Sequence, residues 1–165
     1  AFMLDRSRLE RLRSASPSGD PIDALSLERD VRPLAEKALS LVAKVAVIKC
    51  GSKGLFGMTA QGADFARLCW KAAVKKTGSI ESWRETEYIQ PAIPPCVIRS
   101  ATGAGDTSIA AFLTAMLRGY DFPRSLNIAA AAGSSCLESW DALGGLRSFE
   151  DLSRICLGDT PRYRL

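Results

Sequence analysis

A chain of 165 residues with 47% hydrophobic content is long enough to bury a substantial core as one globular unit, and it contains no histidine. Without imidazole, Ser-His-Asp and Cys-His catalysis and the common His-containing zinc sites are excluded, so acid–base work falls mainly to carboxylates, with lysine and tyrosine behind them. Twenty-two Lys and Arg against 18 acids give a formal charge of +4, a mild surplus that does not call for nucleic acid as a partner.

Near the start, Arg6, Arg8, Arg11 and Arg13 alternate with Leu4, Leu9 and Leu12, the pattern of an amphipathic helix with a solvated basic face. Residues 14–23 crowd Ser, Pro, Gly and Asp together and read as a linker. We therefore divide the chain into an N-terminal segment and linker, 1–25, and a main part, 26–165. The opening Ala1-Phe2 in place of Met, without a signal pattern, suggests a fragment of a longer protein.

From Ser26, a candidate cap, Leu27, Val31, Leu34, Ala38 and Leu41 recur at helical spacing, with Pro33 in the first turn. Val45-Ala46-Val47-Ile48 then has the β-branched character of a buried strand, and the glycine turn Lys49 to Gly54 leads to Leu55-Phe56-Gly57-Met58-Thr59, which reads as its hairpin partner. Residues 63–77 have helical spacing. The stretch 78–95 reads as loop with one edge strand at Glu87–Gln90, and Cys96-Val97-Ile98 as a short strand. Ile109 to Leu117 is apolar nearly all round, predicting a buried helix that Gly119 ends. The next helix starts at Asp121 or Pro123 and carries a run of very small side chains from Ala129 to Gly133, suited to tight helix packing or to a flat wall against a ligand's ring. Gly144-Gly145 marks a turn, and a short last helix begins at Phe149.

Five cysteines, Cys50, Cys69, Cys96, Cys136 and Cys156, are odd in number and widely spaced, which indicates reduced thiols and no disulfide framework. No apolar run approaches the roughly 20 residues that span a bilayer, so the expected setting is cytoplasmic with no membrane partner.

The chemistry concentrates at Ser100-Ala101-Thr102-Gly103-Ala104-Gly105-Asp106-Thr107. Three small residues ahead of a helix let the backbone approach a ligand closely, and the helix start favours an anion such as phosphate. A capping role for Asp106 or Thr107 explains the polar residues locally. The alternative is a kinase constellation, in which amides of Ala104 and Gly105 hold a phosphoryl group while Asp106 takes a proton from an acceptor hydroxyl.

Thr102 to Asp106 ahead of an apolar helix, Val47-Ile48-Lys49-Cys50-Gly51-Ser52-Lys53-Gly54 upstream, and Glu138 to Leu146 downstream together resemble the carboxyl-terminal half of the ribokinase-like, or PfkB, carbohydrate kinases. The resemblance implies an α/β fold: a three-layer α/β/α arrangement around a mostly parallel central sheet, present here only in its C-terminal portion. It also implies ATP-dependent phosphorylation of a sugar or nucleoside hydroxyl. Asp106 corresponds to the catalytic base, and Gly103, Ala104 and Gly105 to the anion hole. Lys49, Gly51, Ser52, Gly54 and Thr102 correspond to the nucleotide site, with Asn127, Ala130 and Gly133 on the adenine wall. ATP and Mg²⁺ are the implied cofactors. A monovalent cation (K⁺) belongs with them, and there the sequence departs from the family, with Ser100 where an Asp usually stands. Asn127 also lies one position from the family's usual Asn. Nothing before residue 26 resembles the family's amino-terminal half, which carries most sugar contacts. Two further partners follow as expectations, a second copy of the chain or that missing half. The competing reading is a nucleotide-binding regulatory or structural module of the same fold without catalysis.

Overall fold

The structure, a computed structural model, describes residues 6–61 and 80–157. Helix α1 spans Arg6–Ala15 and the single turn α2 spans Pro21–Ala24, where Asp20 accepts the Ile22 N–H at 2.9 Å. Ser26 caps as its position suggests, accepting the Arg29 N–H at 3.2 Å, but it caps a wide π-type turn, Leu27–Val31, that runs into α3, Arg32–Leu41. Strands β1, Val45–Lys49, and β2, Leu55–Thr59, flank a 3-10 turn at Gly51–Lys53, and β3 spans Glu87–Gln90. Helices α4, Ala104–Leu117, α5, Phe122–Leu137, and α6, Phe149–Leu157, follow. The helical pattern at 63–77 lies outside the described residues.

The three strands form a sheet in the order β1-β2-β3, and both pairings are antiparallel, with Val47 opposite Gly57 and Phe56 opposite Ile89. This corrects the expectation of a mostly parallel sheet: among the described residues no parallel pair is present. The reason for the first pair is chain length, because a parallel crossover needs a dozen or more residues and only 50–54 join β1 to β2.

Adjacent strand residues point to opposite faces, and the sheet uses both. Phe56 joins Leu12, Leu25, Val31, Ala35, Ala46 and Cys50 on the side of α1 to α3, while Leu55 joins Trp83, Phe112, Phe122 and Leu126 on the side of α4 and α5. Helix α5 sits so close to β2 that a Cβ on Gly57 would stand 2.6 Å from Leu126 and Phe122. Helices therefore cover both faces of a small sheet. A further cluster of Ala111, Ala115, Ile128, Ala131, Ala132 and Leu152 joins α4, α5 and α6.

The N-terminal segment shares this core. Leu12 and Leu25 are buried in it, Arg8 pairs with Asp30 at 3.2 Å, and the Lys53 ammonium donates to the carbonyls of Leu25 at 2.6 Å and Asp23 at 3.2 Å. Arg8 is thus drawn out of the solvated basic face expected of it.

Two other expectations change. Cys96 to Ile98 joins no ladder, with Ile98 71% exposed. Helix α4 is not buried all round: Ile109, Leu113 and Leu117 line an exposed face at 48%, 45% and 51%. Buried Ala111, Phe112 and Ala115 form its inner face.

Candidate active site at the start of helix α4

Gly103 precedes α4 in the left-handed region, at φ 81°, which glycine adopts without the penalty a side chain incurs. The space is closed as well, since a Cβ on Gly103 would lie 2.5 Å from the Ala142 Cβ. Thr107 N–H donates to the Gly103 carbonyl at 2.9 Å and Ala104 N–H to the Ala101 carbonyl at a long 3.4 Å, so the amides between them head the helix without a regular i−4 partner. Neither Asp106 nor Thr107 caps the helix. Gly103 occupies the cap position with no side-chain bond, and Asp106 lies in the first turn with its side chain in solvent.

The hairpin delivers a lysine to this point. Lys49 is the last residue of β1, and its Nζ lies 2.3 Å from where a Cβ of Gly105 would be. A side chain at position 105 would displace the ammonium from this position. Among the described residues Lys49 forms no ion pair, Asp106 included, whereas Lys53 is spent on holding the N-terminal segment. A helix start carries partial positive charge, so an ammonium beside it is unfavourable until an anion comes between them. Lysine and amides converge on space suited to a phosphate.

The remaining nucleotide-site candidates divide. Gly51, at φ 55°, and exposed Ser52 form the β1–β2 turn. Gly54, at φ 92°, is pressed against the backbone after β3, where a Cβ would meet the Gln90 carbonyl oxygen at 2.1 Å. Thr102 is exposed and receives the Cys136 thiol on its carbonyl at 3.5 Å. On α5 the small residues serve packing. Ala130 is buried beside Leu55 and Trp83, and a Cβ on Gly133 would reach the Ser108 Oγ at 2.3 Å. Asn127 donates its amide to Gln90 Oε1 at 3.2 Å.

Asp106, Thr107 and Gly103 border an open cleft of about 570 Å³ whose other walls include Ala110, Ala111, Leu143, Leu146, Phe149 and Leu152. That lining is mainly apolar, unlike what a polyol needs. Among the described residues no three His, Cys, Asp or Glu side chains gather as a metal cage. A phosphate-bound Mg²⁺ needs no such cage, because it keeps several waters and takes one or two carboxylates.

Three residues to which the sequence assigns no role of their own help to build the site. Buried Cys136 donates to the carbonyls of Thr102 at 3.5 Å and Ala142 at 3.6 Å. Glu138 accepts the Cys96 N–H at 2.8 Å and pairs with Arg147 at 2.7 Å. The Cys96 bond foremost, with Arg147 adding to it, holds the Glu138 carboxyl below the usual carboxylate range. Asp141 accepts from Gly144 and Leu143 N–H, which lower its pKa in turn. The only sequence signal for the two carboxylates is the Glu138–Leu146 string itself.

A left-handed glycine, a helix start with a carboxylate in its first turn, and a lysine over Gly105 that forms no ion pair among the described residues thus come together in a mixed α/β chain. The sequence matches the family described as pfkB family carbohydrate kinase over residues 20–144, and the chain belongs to that family. Among solved structures it is similar to a ribokinase from Arabidopsis thaliana in complex with ribose and ATP, at 25% identity and TM-score 0.62, over 84% of this chain and 39% of that one. A ribokinase from Thermotoga maritima follows at 21% identity and TM-score 0.56, over 83% and 39%. A nucleoside kinase from Methanocaldococcus jannaschii, described as an archaeal member of the ribokinase family, matches at 19% and 0.54, over 90% and 46%. The chain thus spans about two fifths of the length of the ribokinases it matches. No curated protein matches the sequence. No helix among the described residues is long and apolar enough to cross a membrane.

Proposed function

We propose that this chain carries the phosphate end and the catalytic base of an ATP-dependent kinase acting on a sugar or nucleoside hydroxyl. The observation that carries the reading is the Lys49 ammonium held over Gly105 at the open start of α4, with Asp106 one residue on. Gly103, Ala104 and Gly105 present their amides to the transferring phosphoryl group. Lys49, Gly51, Ser52, Gly54 and Thr102 border the nucleotide, and Asn127, Ala130 and Gly133 shape its far wall through the packing of α5. Asp106 accepts the acceptor hydroxyl's proton as that oxygen bonds to the γ-phosphorus and the bond to the β–γ bridging oxygen breaks, with ADP leaving. Magnesium bound to the nucleotide would offset phosphate charge. Such chemistry asks mainly for positioning and electrostatics, and no histidine.

The apolar cleft beside Asp106 supports a division of labour, in which the acceptor is read by the part of the fold that this chain does not span. The chain alone is then expected to bind ATP while phosphorylating sugars little. In a protein joining it to the rest of a ribokinase fold, Asp106→Ala is expected to remove turnover and leave ATP affinity within about twofold, since the carboxylate is off the phosphate contacts. Calorimetric titration with ATP and a coupled ADP-release assay measure the two. Turnover at the wild-type rate in Asp106→Ala refutes the base. Tight ATP binding with no transfer to any sugar or nucleoside favours the non-catalytic module.

A further inference from the structure

Glu138 ends α5 as its C-cap, 32 positions beyond Asp106 in the chain, yet its carboxylate reaches back to the segment that enters the anion turn. That segment, Cys96–Ser100, joins no sheet, so its backbone must be held some other way. Three bonds hold it. The Glu138 carboxylate accepts the Cys96 N–H at 2.8 Å, and the Leu137 carbonyl accepts the N–H groups of Arg99 at 2.8 Å and Ser100 at 3.4 Å. All three come from the last residue of α5 and its cap.

The same corner grips the turn itself. The Cys136 thiol reaches the Thr102 and Ala142 carbonyls, and the Ala142 methyl packs where a Gly103 side chain would stand. Gly145 lies so close to α5 that a Cβ there would come within 2.3 Å of the Ser135 carbonyl oxygen. Arg147 closes the loop by pairing with Glu138 at 2.7 Å.

We infer that Glu138 is a positioning residue for phosphate recognition: by tying Cys96 and Arg147 to the end of α5, it sets the height at which the Gly103–Gly105 amides face Lys49. The Glu138 side chain is 20% exposed, and its bonds to Cys96 and Arg147 lie at the protein surface. Asp106 and the nucleotide are not among its partners. Its effect is indirect and falls on the triphosphate, not on the nucleoside. The phosphate part of this inference rests on the function proposed above.

Amide hydrogen exchange tests the mechanical part without any ligand. Glu138→Ala is expected to speed exchange over residues 99–107 about tenfold, the scale of one hydrogen bond to a charged group, and to leave the 45–59 hairpin unchanged. Glu138→Gln, whose amide oxygen still accepts from Cys96, is expected to restore most of the protection. Unchanged exchange at 99–107, or equal acceleration in the hairpin, overturns the inference. Titration with ATP and with adenosine tests the functional part. Glu138→Ala is expected to lose several-fold in ATP affinity and none in adenosine affinity. Equal loss for both ligands, or none for ATP, overturns the positioning role. If the wild-type chain binds no ATP, the proposed function fails, and the exchange result still decides whether Glu138 holds the turn.

Discussion

Replacing Gly105 by alanine separates a glycine kept for folding from one kept for a ligand. The new methyl would stand 2.3 Å from the Lys49 Nζ and 3.4 Å from its Cε, with no backbone atom among its close neighbours. Only the far end of a flexible side chain has to move, and Lys49 is exposed enough to move it. The cost to folding is therefore below about 1 kcal/mol, against a helix-propensity gain of up to about 1 kcal/mol for Gly to Ala. The expected shift in Tm is within about 3 °C in either direction. Phosphate recognition suffers more, because the methyl pushes the ammonium off the helix start and narrows the approach to the amides. Losing one charge-assisted contact of about 1.5 kcal/mol weakens ATP roughly tenfold. Adenosine, with no phosphate, is expected to bind the variant and the wild type alike. Thermal denaturation followed by titration with ATP and adenosine measures all three quantities. ATP affinity equal to wild type would show that Lys49 and Gly105 do not form a phosphate site. A fall in Tm beyond about 6 °C would show that the glycine serves packing.

Gly133→Ala is expected to behave in the opposite way, because its methyl meets the Ser108 Oγ at 2.3 Å inside the α4–α5 packing, where that hydroxyl already donates to the Ala104 carbonyl at 2.9 Å. A loss of about 1–3 kcal/mol is expected, and Ser108→Ala in the same chain should recover much of it; a denaturant double-mutant cycle with no coupling would refute the contact. Cys50 supplies a pH dependence. Burial pushes its thiol above 9.0, so an unfolded chain gives up this proton more readily than a folded one. Its contribution is fully present below pH 9.0 and is lost as pH rises through that value toward the folded one, by up to about 1.4 kcal/mol per pH unit. Cys50→Ala should lose stability less steeply than the wild type from about pH 9 to 10.5 in urea melts, and parallel curves would contradict the assignment.

Features governed by neighbouring residues are legible in the amino-acid sequence alone. Asp121 caps α5 by accepting the Arg124 N–H at 2.7 Å, Gly119 follows α4 at φ 80°, and β3 occupies Glu87–Gln90, all as the sequence indicates. The hairpin of β1 and β2 follows equally from its short glycine turn. Capping, left-handed backbone and tight turns depend on a few consecutive residues, so composition and spacing reveal them.

The same holds for the turn that opens α4, with one limit. By itself the sequence determined that Gly103 to Asp106 opens a helix with small residues and a carboxylate, and it pointed to the kinase family to which the chain belongs. Only the tertiary structure decided that Lys49, 56 positions earlier, lies over Gly105, and that Glu138 reaches Cys96 across 42 positions. It also turned Asn127 toward Gln90, set β3 antiparallel beside β2 and left one side of α4 in solvent. Periodicity says which residues share a face, but the partner of a face, the direction of a paired strand and the neighbour of a charge are long-range choices. They are made by how helices and sheet bury one another, and spacing along the chain does not encode them.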